Sequence, residues 1–186
     1  MSKEPTSSPY RSTRWSARQL ATMAIFVALG TILSFIEFPL LPGTDFLKFD
    51  ASAVAALIGG FSYGPAAGSL IGILIAWIHG LFSGNLWGAL MNSVVVLAFV
   101  LPAAFVYKRQ RSTVAAVVGL IISCVCMVIV AILMNLLVTP LYMGVPTEAV
   151  ISMIVPILLP FNILKALINA VLAFVLERSL RKLLNP

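Results

Sequence analysis

Long apolar runs broken by short polar or glycine- and proline-rich stretches set the plan of this chain. They cover residues 17–36, 51–82, 86–107, 113–139 and 151–176. A helix needs about 20 residues to cross about 30 Å of hydrocarbon. The second run is too long for one simple span and short for two full ones. Its middle reads Gly59-Gly60-Phe61-Ser62-Tyr63-Gly64-Pro65, where glycines and a proline at a helix start mark a tight turn. Splitting the run there gives six spans.

Charge parity supports the even count. Of the 12 lysines and arginines, most fall in three clusters: Lys3, Arg11, Arg14, Arg18; Lys108, Arg109, Arg111; and Arg178, Arg181, Lys182. With the N-terminus inside and six spans, all three clusters face the cytoplasm, as the positive-inside rule requires; five spans would put the last two outside. The sequence therefore predicts an all-α integral membrane protein with six transmembrane helices and both termini cytoplasmic. Residues 1–16 form a polar, disordered cytoplasmic lead, and residues 17–184 a single membrane domain. The run from Leu20 to Ile36 has no small-residue cleavage site before Glu37 and reads as a retained span.

The split has a geometric consequence. The helix starting near Ala51 has about 12 residues before its glycines, a rise of roughly 18 Å, too short to cross the hydrocarbon. The preceding loop, Pro39 to Asp50, must dip into the protein from outside as a reentrant segment between helices 1 and 2. Irregular backbone at that depth is tolerated where protein buries it or it lines a cavity, so a pocket open to the outer face is expected.

Composition narrows the function. Hydrophobic residues make up 61% of the chain and charged residues 10%, so lipid is its solvent. The net charge of +6 is accounted for by cytoplasmic clusters, which leaves nucleic acid an unsupported partner. Cys124 and Cys126, two apart on a helix, point in different directions and read as small apolar fillers. His79 has no second ligand at metal spacing, so no metal site is expected. No phosphate-binding Gly-x-x-x-x-Gly-Lys loop, no nucleophile with a histidine base and no carboxylate pair are present, which argues against an enzyme. The six acids fall at termini, loops or span ends, which disfavours proton coupling in mid-span.

Polar residues inside spans carry a cost and call for a reason. Asn162, Lys165 and Asn169, at i, i+3 and i+7, share one helical face of the last span. Such a stripe suits a ligand bearing hydroxyls or carbonyls. The alternative is that Lys165 snorkels to the headgroups while the asparagines bond neighbouring helices. Asn135, five residues before Pro140, reads alone as interhelical bonding and with Lys165 as part of a site. Asp50 stands where an N-cap belongs. Lys48 has Asp45, Asp50 or Glu37 as ion-pair partners, or faces a ligand. Trp77 and Trp87 flank the outer turn at 83–86 as an interfacial belt would. In the first span Ala17, Ala21, Ala24 and Ala28 recur at i, i+4, i+7 and i+11, a small-residue strip that lets another helix approach.

Taken in order, Phe46-Leu47-Lys48-Phe49-Asp50, Ala56-Leu57-Ile58-Gly59-Gly60-Phe61 with Gly64-Pro65, Asn135 with Pro140-Leu141-Tyr142, and Phe161-Asn162-Ile163-Leu164-Lys165 resemble the riboflavin-specific substrate-binding (S) subunits of energy-coupling factor (ECF) transporters over roughly residues 18–180. The resemblance implies a six-helix cell-membrane protein that captures a vitamin from outside and docks on a transmembrane coupling subunit driven by two cytoplasmic ATPases, toppling in the membrane to release it. It implies flavin contacts at Asn135, Asn162 and Lys165, and at the 46–50 loop. The alanine strip would meet the coupling subunit. The last span's Asn169 and the aromatic Tyr142 complete the expected ligand-binding set, with riboflavin as transported ligand and no cofactor. An S subunit for a flavin phosphate or another vitamin, and a non-transporting assembly protein, remain the alternatives.

Overall fold

The computed structural model describes residues 15–44 and 46–184, the last five by backbone alone. Asp45 and most of the 1–16 lead lie outside the described residues. Five helices are long and apolar enough to cross a membrane: α1 (Ala17–Phe35), α3 (Pro65–Ser83), α4 (Leu86–Gln110), α5 (Thr113–Met143) and a final bent rod over Thr147–Ser179. That rod is made of α6 (Thr147–Met153), a π-helical turn (Ile154–Leu158) and α7 (Leu159–Leu184). The short helix α2 (Ser52–Tyr63) lies between α1 and α3.

Local chemistry explains most of the boundaries. A capping box opens α1: Ser16 Oγ accepts from the Gln19 N–H at 3.2 Å, and Gln19 Oε1 accepts from the Ser16 N–H at 2.9 Å. Asn85 caps α4 through the Gly88 N–H at 2.8 Å, and Ser112 caps α5 through the Ala115 N–H at 3.1 Å. The turn read at 61–65 is where α2 stops. Gly64 there has φ +94°, a conformation closed to most side chains, and Pro65 begins α3. Within α4, Pro102 interrupts the backbone ladder, and the next N–H, of Ala103, donates across to Ser123 Oγ on α5 at 2.8 Å.

Two elements differ from the sequence reading. The last helical segment begins at Thr147 rather than near 151 and carries a π turn around Pro156. Proline lacks the N–H that the α-helical ladder needs, and widening by one residue accommodates it. The N-cap position of α2 is Ala51, not Asp50. Asp50 lies one residue earlier and accepts from Ser52, through its N–H at 3.0 Å and its hydroxyl. It tethers the first turn without occupying the cap.

The core is built on small residues. Residues Val54 to Phe61 of α2 are all buried, and α2 contacts α1, α3, α4 and α7. Close approach is what permits this. A Cβ on Gly68 would fall 2.7 Å from the Gly60 Cα, the Ala56 carbonyl oxygen and Val100 Cγ1. The outward faces of the long helices stay apolar: Ile25, Ile32, Val118, Ile121, Val125 and Val171 are all exposed, as expected of a surface solvated by lipid.

Candidate functional site

Residues 36–51 connect α1 to α2 at one end of the bundle. The segment folds back as a two-residue antiparallel ladder, β1 (Phe38–Pro39) on β2 (Lys48–Phe49), with Phe38 opposite Phe49. The two rings pack at a centroid distance of 5.4 Å, and Thr44 Oγ1 donates to the Leu41 carbonyl at 2.7 Å inside the turn. Phe49 is buried by this packing. The loop is held as a small hairpin over the ends of the helices.

Beneath it lies a cavity of about 500 Å³, inside the roughly 300–1,000 Å³ range of sites that enclose a small molecule. Its walls come from the hairpin, the Ser83–Leu86 region and the facing ends of α3, α4, α5 and α7. Of the residues named from the sequence, Phe46, Leu47, Lys48, Asp50, Asn135, Tyr142, Asn162 and Lys165 line it together. Two do not. Phe49 turns away to pack on Phe38, and Asn169 lies one turn further along α7, fully buried beneath Lys165.

The polar stripe of α7 is wired into the start of α2. Lys165 Nζ stands 3.1 Å from Asp50 Oδ2, with side chains 13% and 15% exposed. Asn169 Nδ2 donates to the backbone carbonyls of Lys165 at 3.0 Å and of Asp50 at 3.4 Å. Asn169 therefore supports the pair from below. Two of the cavity asparagines spend one N–H each on their own helices: Asn162 donates to the Leu158 carbonyl at 2.8 Å, and Asn135 to that of Ala131 at 2.8 Å. Asn135 Oδ1 also accepts from Thr139 at 3.1 Å. These bonds fix each amide's orientation. They leave Asn162 a carbonyl oxygen and an N–H, and Asn135 an N–H, for a bound molecule.

A second polar cluster sits at the rim. Lys48 Nζ bonds Glu37 Oε1 at 2.6 Å, and Asp50, the other described carboxylate considered for it, pairs with Lys165 instead. Glu37 Oε2 is 3.9 Å from His79 Nε2, and His79 Nδ1 is 3.1 Å from Ser34 Oγ. Ser34 donates its hydroxyl proton to the Thr31 carbonyl at 2.7 Å. It must then accept from His79, so Nδ1 of that ring carries a proton. Phe35 lies over the same imidazole at 5.0 Å.

Most of the remaining wall is apolar, with Ile75, Val95, Val96, Phe99, Met127 and Phe161, and Ser52, Ser83, Asn85 and Asn92 add polar lining. Apolar planes with a few directed polar groups suit a flat, partly polar ligand. The sequence reading did not place Glu37, Ser34, His79 and Asn92 at the cavity. Glu37 was weighed only as a partner for Lys48 and His79 only as a metal ligand. Asn92 stands alone in an apolar run, and no periodic stripe marks it.

The comparisons with known proteins agree with this architecture. A family model described as "ECF transporter, substrate-specific component" matches residues 18–177. The chain belongs to that family. Among its relatives this ECF substrate-specific component is 33% identical over 175 residues to the riboflavin transporter RibU of Staphylococcus aureus, covering 90% of this chain and 93% of that protein. It is 28% identical to the riboflavin transporter FmnP of Bacillus subtilis, covering 83% of this chain and 87% of that one. Its fold is similar to the solved S component of a bacterial ECF transporter, with a TM-score of 0.79 and 30% identity over 91% of this chain and 98% of that chain. On α1 of this substrate-specific component, Ala17, Ala21, Ala24 and Ala28 are all exposed.

Proposed function

We propose that this chain is the riboflavin-capturing subunit of an ATP-driven ECF vitamin transporter in the cell membrane. The observation that carries the reading is the cavity itself. Aromatic and aliphatic walls face one another across a space of about 500 Å³, and Asn135, Asn162 and Lys165 converge on it with unspent hydrogen-bonding groups. An isoalloxazine ring offers a flat apolar face with polar edges, and a ribityl tail offers hydroxyls, so such a site matches both parts. The names of its relatives, riboflavin transporters at 33% and 28% identity, support the same ligand.

The six-span topology with cytoplasmic termini belongs to this reading. Helix α2 and the hairpin together make the second crossing, supported by the basic residues Lys108, Arg109 and Arg111 at the end opposite the cavity. The exposed alanines of α1 form the face that docks on the coupling subunit, whose two ATPases supply the energy. A bare strip ending at Cβ allows backbone-to-backbone approach that larger side chains prevent.

Titration of the detergent-purified chain with riboflavin, following quenching of flavin fluorescence, tests the ligand. Saturable quenching at micromolar riboflavin is expected. Asn162→Ala removes one directed partner of a buried ligand group, at a cost of about 1–3 kcal/mol, or roughly 5- to 150-fold in affinity. Absence of saturable quenching removes riboflavin, and unchanged affinity in Asn162→Ala removes the site.

A further inference from the structure

The charges that line the cavity cancel in pairs. Among the described lining residues, the two lysines each already bond a carboxylate: Lys48 to Glu37 at 2.6 Å and Lys165 to Asp50 at 3.1 Å. His79 turns its Nε2 toward the same carboxylate as Lys48, 3.9 Å from Glu37 Oε2. Among the described residues no arginine lines the cavity. A phosphate monoester carries between one and two negative charges at neutral pH and binds through charge-assisted bonds, best from arginine forks or free lysines. Here it would have to take a lysine from its carboxylate, or lie beside one.

The two pairs are not equivalent. The inner one is enclosed, and Asp50 is further held by both donors of Ser52, so undoing it strands a buried charge. The outer pair sits at the rim, with side chains 46% and 30% exposed, where one residue can change without that penalty. We propose that Glu37 is the residue that reserves this site for the uncharged vitamin, by occupying Lys48 and placing a negative charge where a phosphate ester would need a positive one. This rests on the riboflavin reading above. Lys48 is thereby a latent phosphate-binding cation, masked by a neighbour 11 positions away.

The experiment compares riboflavin with its 5′-phosphate by fluorescence quenching in the purified full chain. The readout is the ratio of the two dissociation constants in each protein. In the parent chain the phosphate ester is expected to bind at least about tenfold more weakly, from the repulsion of carboxylates at close range and high effective dielectric. Glu37→Gln should lower the ratio by about tenfold, since it removes one charge beside the phosphate and releases Lys48. Lys48→Gln is the variant of opposite sign: it leaves Glu37 unopposed and should raise the ratio. Equal binding of the two flavins by the parent chain overturns the proposal, as does a ratio that stays within twofold in Glu37→Gln or fails to rise in Lys48→Gln. If the parent chain quenches neither flavin, it is the riboflavin assignment that has failed, and the two failures are distinguishable in the first titration.

Discussion

Replacing Lys165 by methionine separates the structural from the ligand-binding part of the α7 stripe. The substitution keeps most of the side chain's length and removes its charge. It strands the Asp50 carboxylate, which the Ser52 N–H at 3.0 Å and the Ser52 hydroxyl satisfy only in part. Both members of the pair are about seven-eighths covered, with 13% and 15% exposure, so the penalty is that of breaking an enclosed ion pair, about 3 kcal/mol. Asp50→Asn alone strands Lys165 and costs a similar amount. The double change, Lys165→Met with Asp50→Asn, leaves no charge behind and should lie within about 1 kcal/mol of the parent, because an enclosed pair gains little over a neutral replacement once desolvation is counted. The assay is equilibrium unfolding in mixed detergent micelles, followed by the fluorescence of the three tryptophans, Trp15, Trp77 and Trp87. The two single changes should be strongly non-additive, with a coupling of at least about 2 kcal/mol. The double variant should recover stability yet still bind riboflavin more weakly, because the lysine's remaining donors are gone. If the double variant loses the sum of the two single losses, the pair contributes nothing as a pair and the account of how α7 holds the start of α2 is wrong.

Three further outcomes are expected. Gly68→Val should cost several kcal/mol or prevent folding, since even a Cβ there would lie 2.7 Å from backbone atoms of α2; folded yield and unfolding midpoint read this, and a stable Gly68→Val would refute the close approach of α2 and α3. Ala21→Trp should leave riboflavin quenching intact while abolishing uptake and copurification with the coupling subunit, and uptake that survives it would show that the exposed strip is not the docking face. In a background without Cys124 and Cys126, a cysteine at Thr147 should react with an impermeant reagent in intact cells and one at Gln110 only after lysis; labelling of position 110 from outside would end the six-span topology.

Local signals were the legible part of this fold. The Gly64–Pro65 turn could be read because proline at a helix start and a glycine at positive φ are local demands. That the segment before α2 folds back over the bundle could be anticipated from simple length, since twelve helical residues cannot cross the hydrocarbon. The stripe Asn162, Lys165, Asn169 could be read as one face, but its division of labour could not. Asn169 buttresses and only the first two meet the cavity, a matter of depth along the helix that periodicity does not report. Lys165 and Asp50 lie 115 positions apart, and nothing in either neighbourhood names the other. Glu177 looked like an acid at a helix end, yet it is buried against Tyr107, whose hydroxyl donates to it at 2.5 Å. The hairpin ladder of two residue pairs was too short to leave an alternating pattern in Pro39–Asp50.

The π turn at Ile154–Leu158 gives the last rod of the bundle two independent phases. An α-helix turns by about 100° per residue, so in an unbroken helix one residue more or less between Val150 and Asn162 would swing the one to a new bearing relative to the other. A widened turn holds one extra residue in place of that rotation. Above it, Val150 is kept buried against its neighbours; below it, Asn162 and Lys165 keep their aim on the cavity. The one extra residue of the π turn thus lets Val150 face the core above it and Asn162 and Lys165 face the cavity below it within one continuous rod.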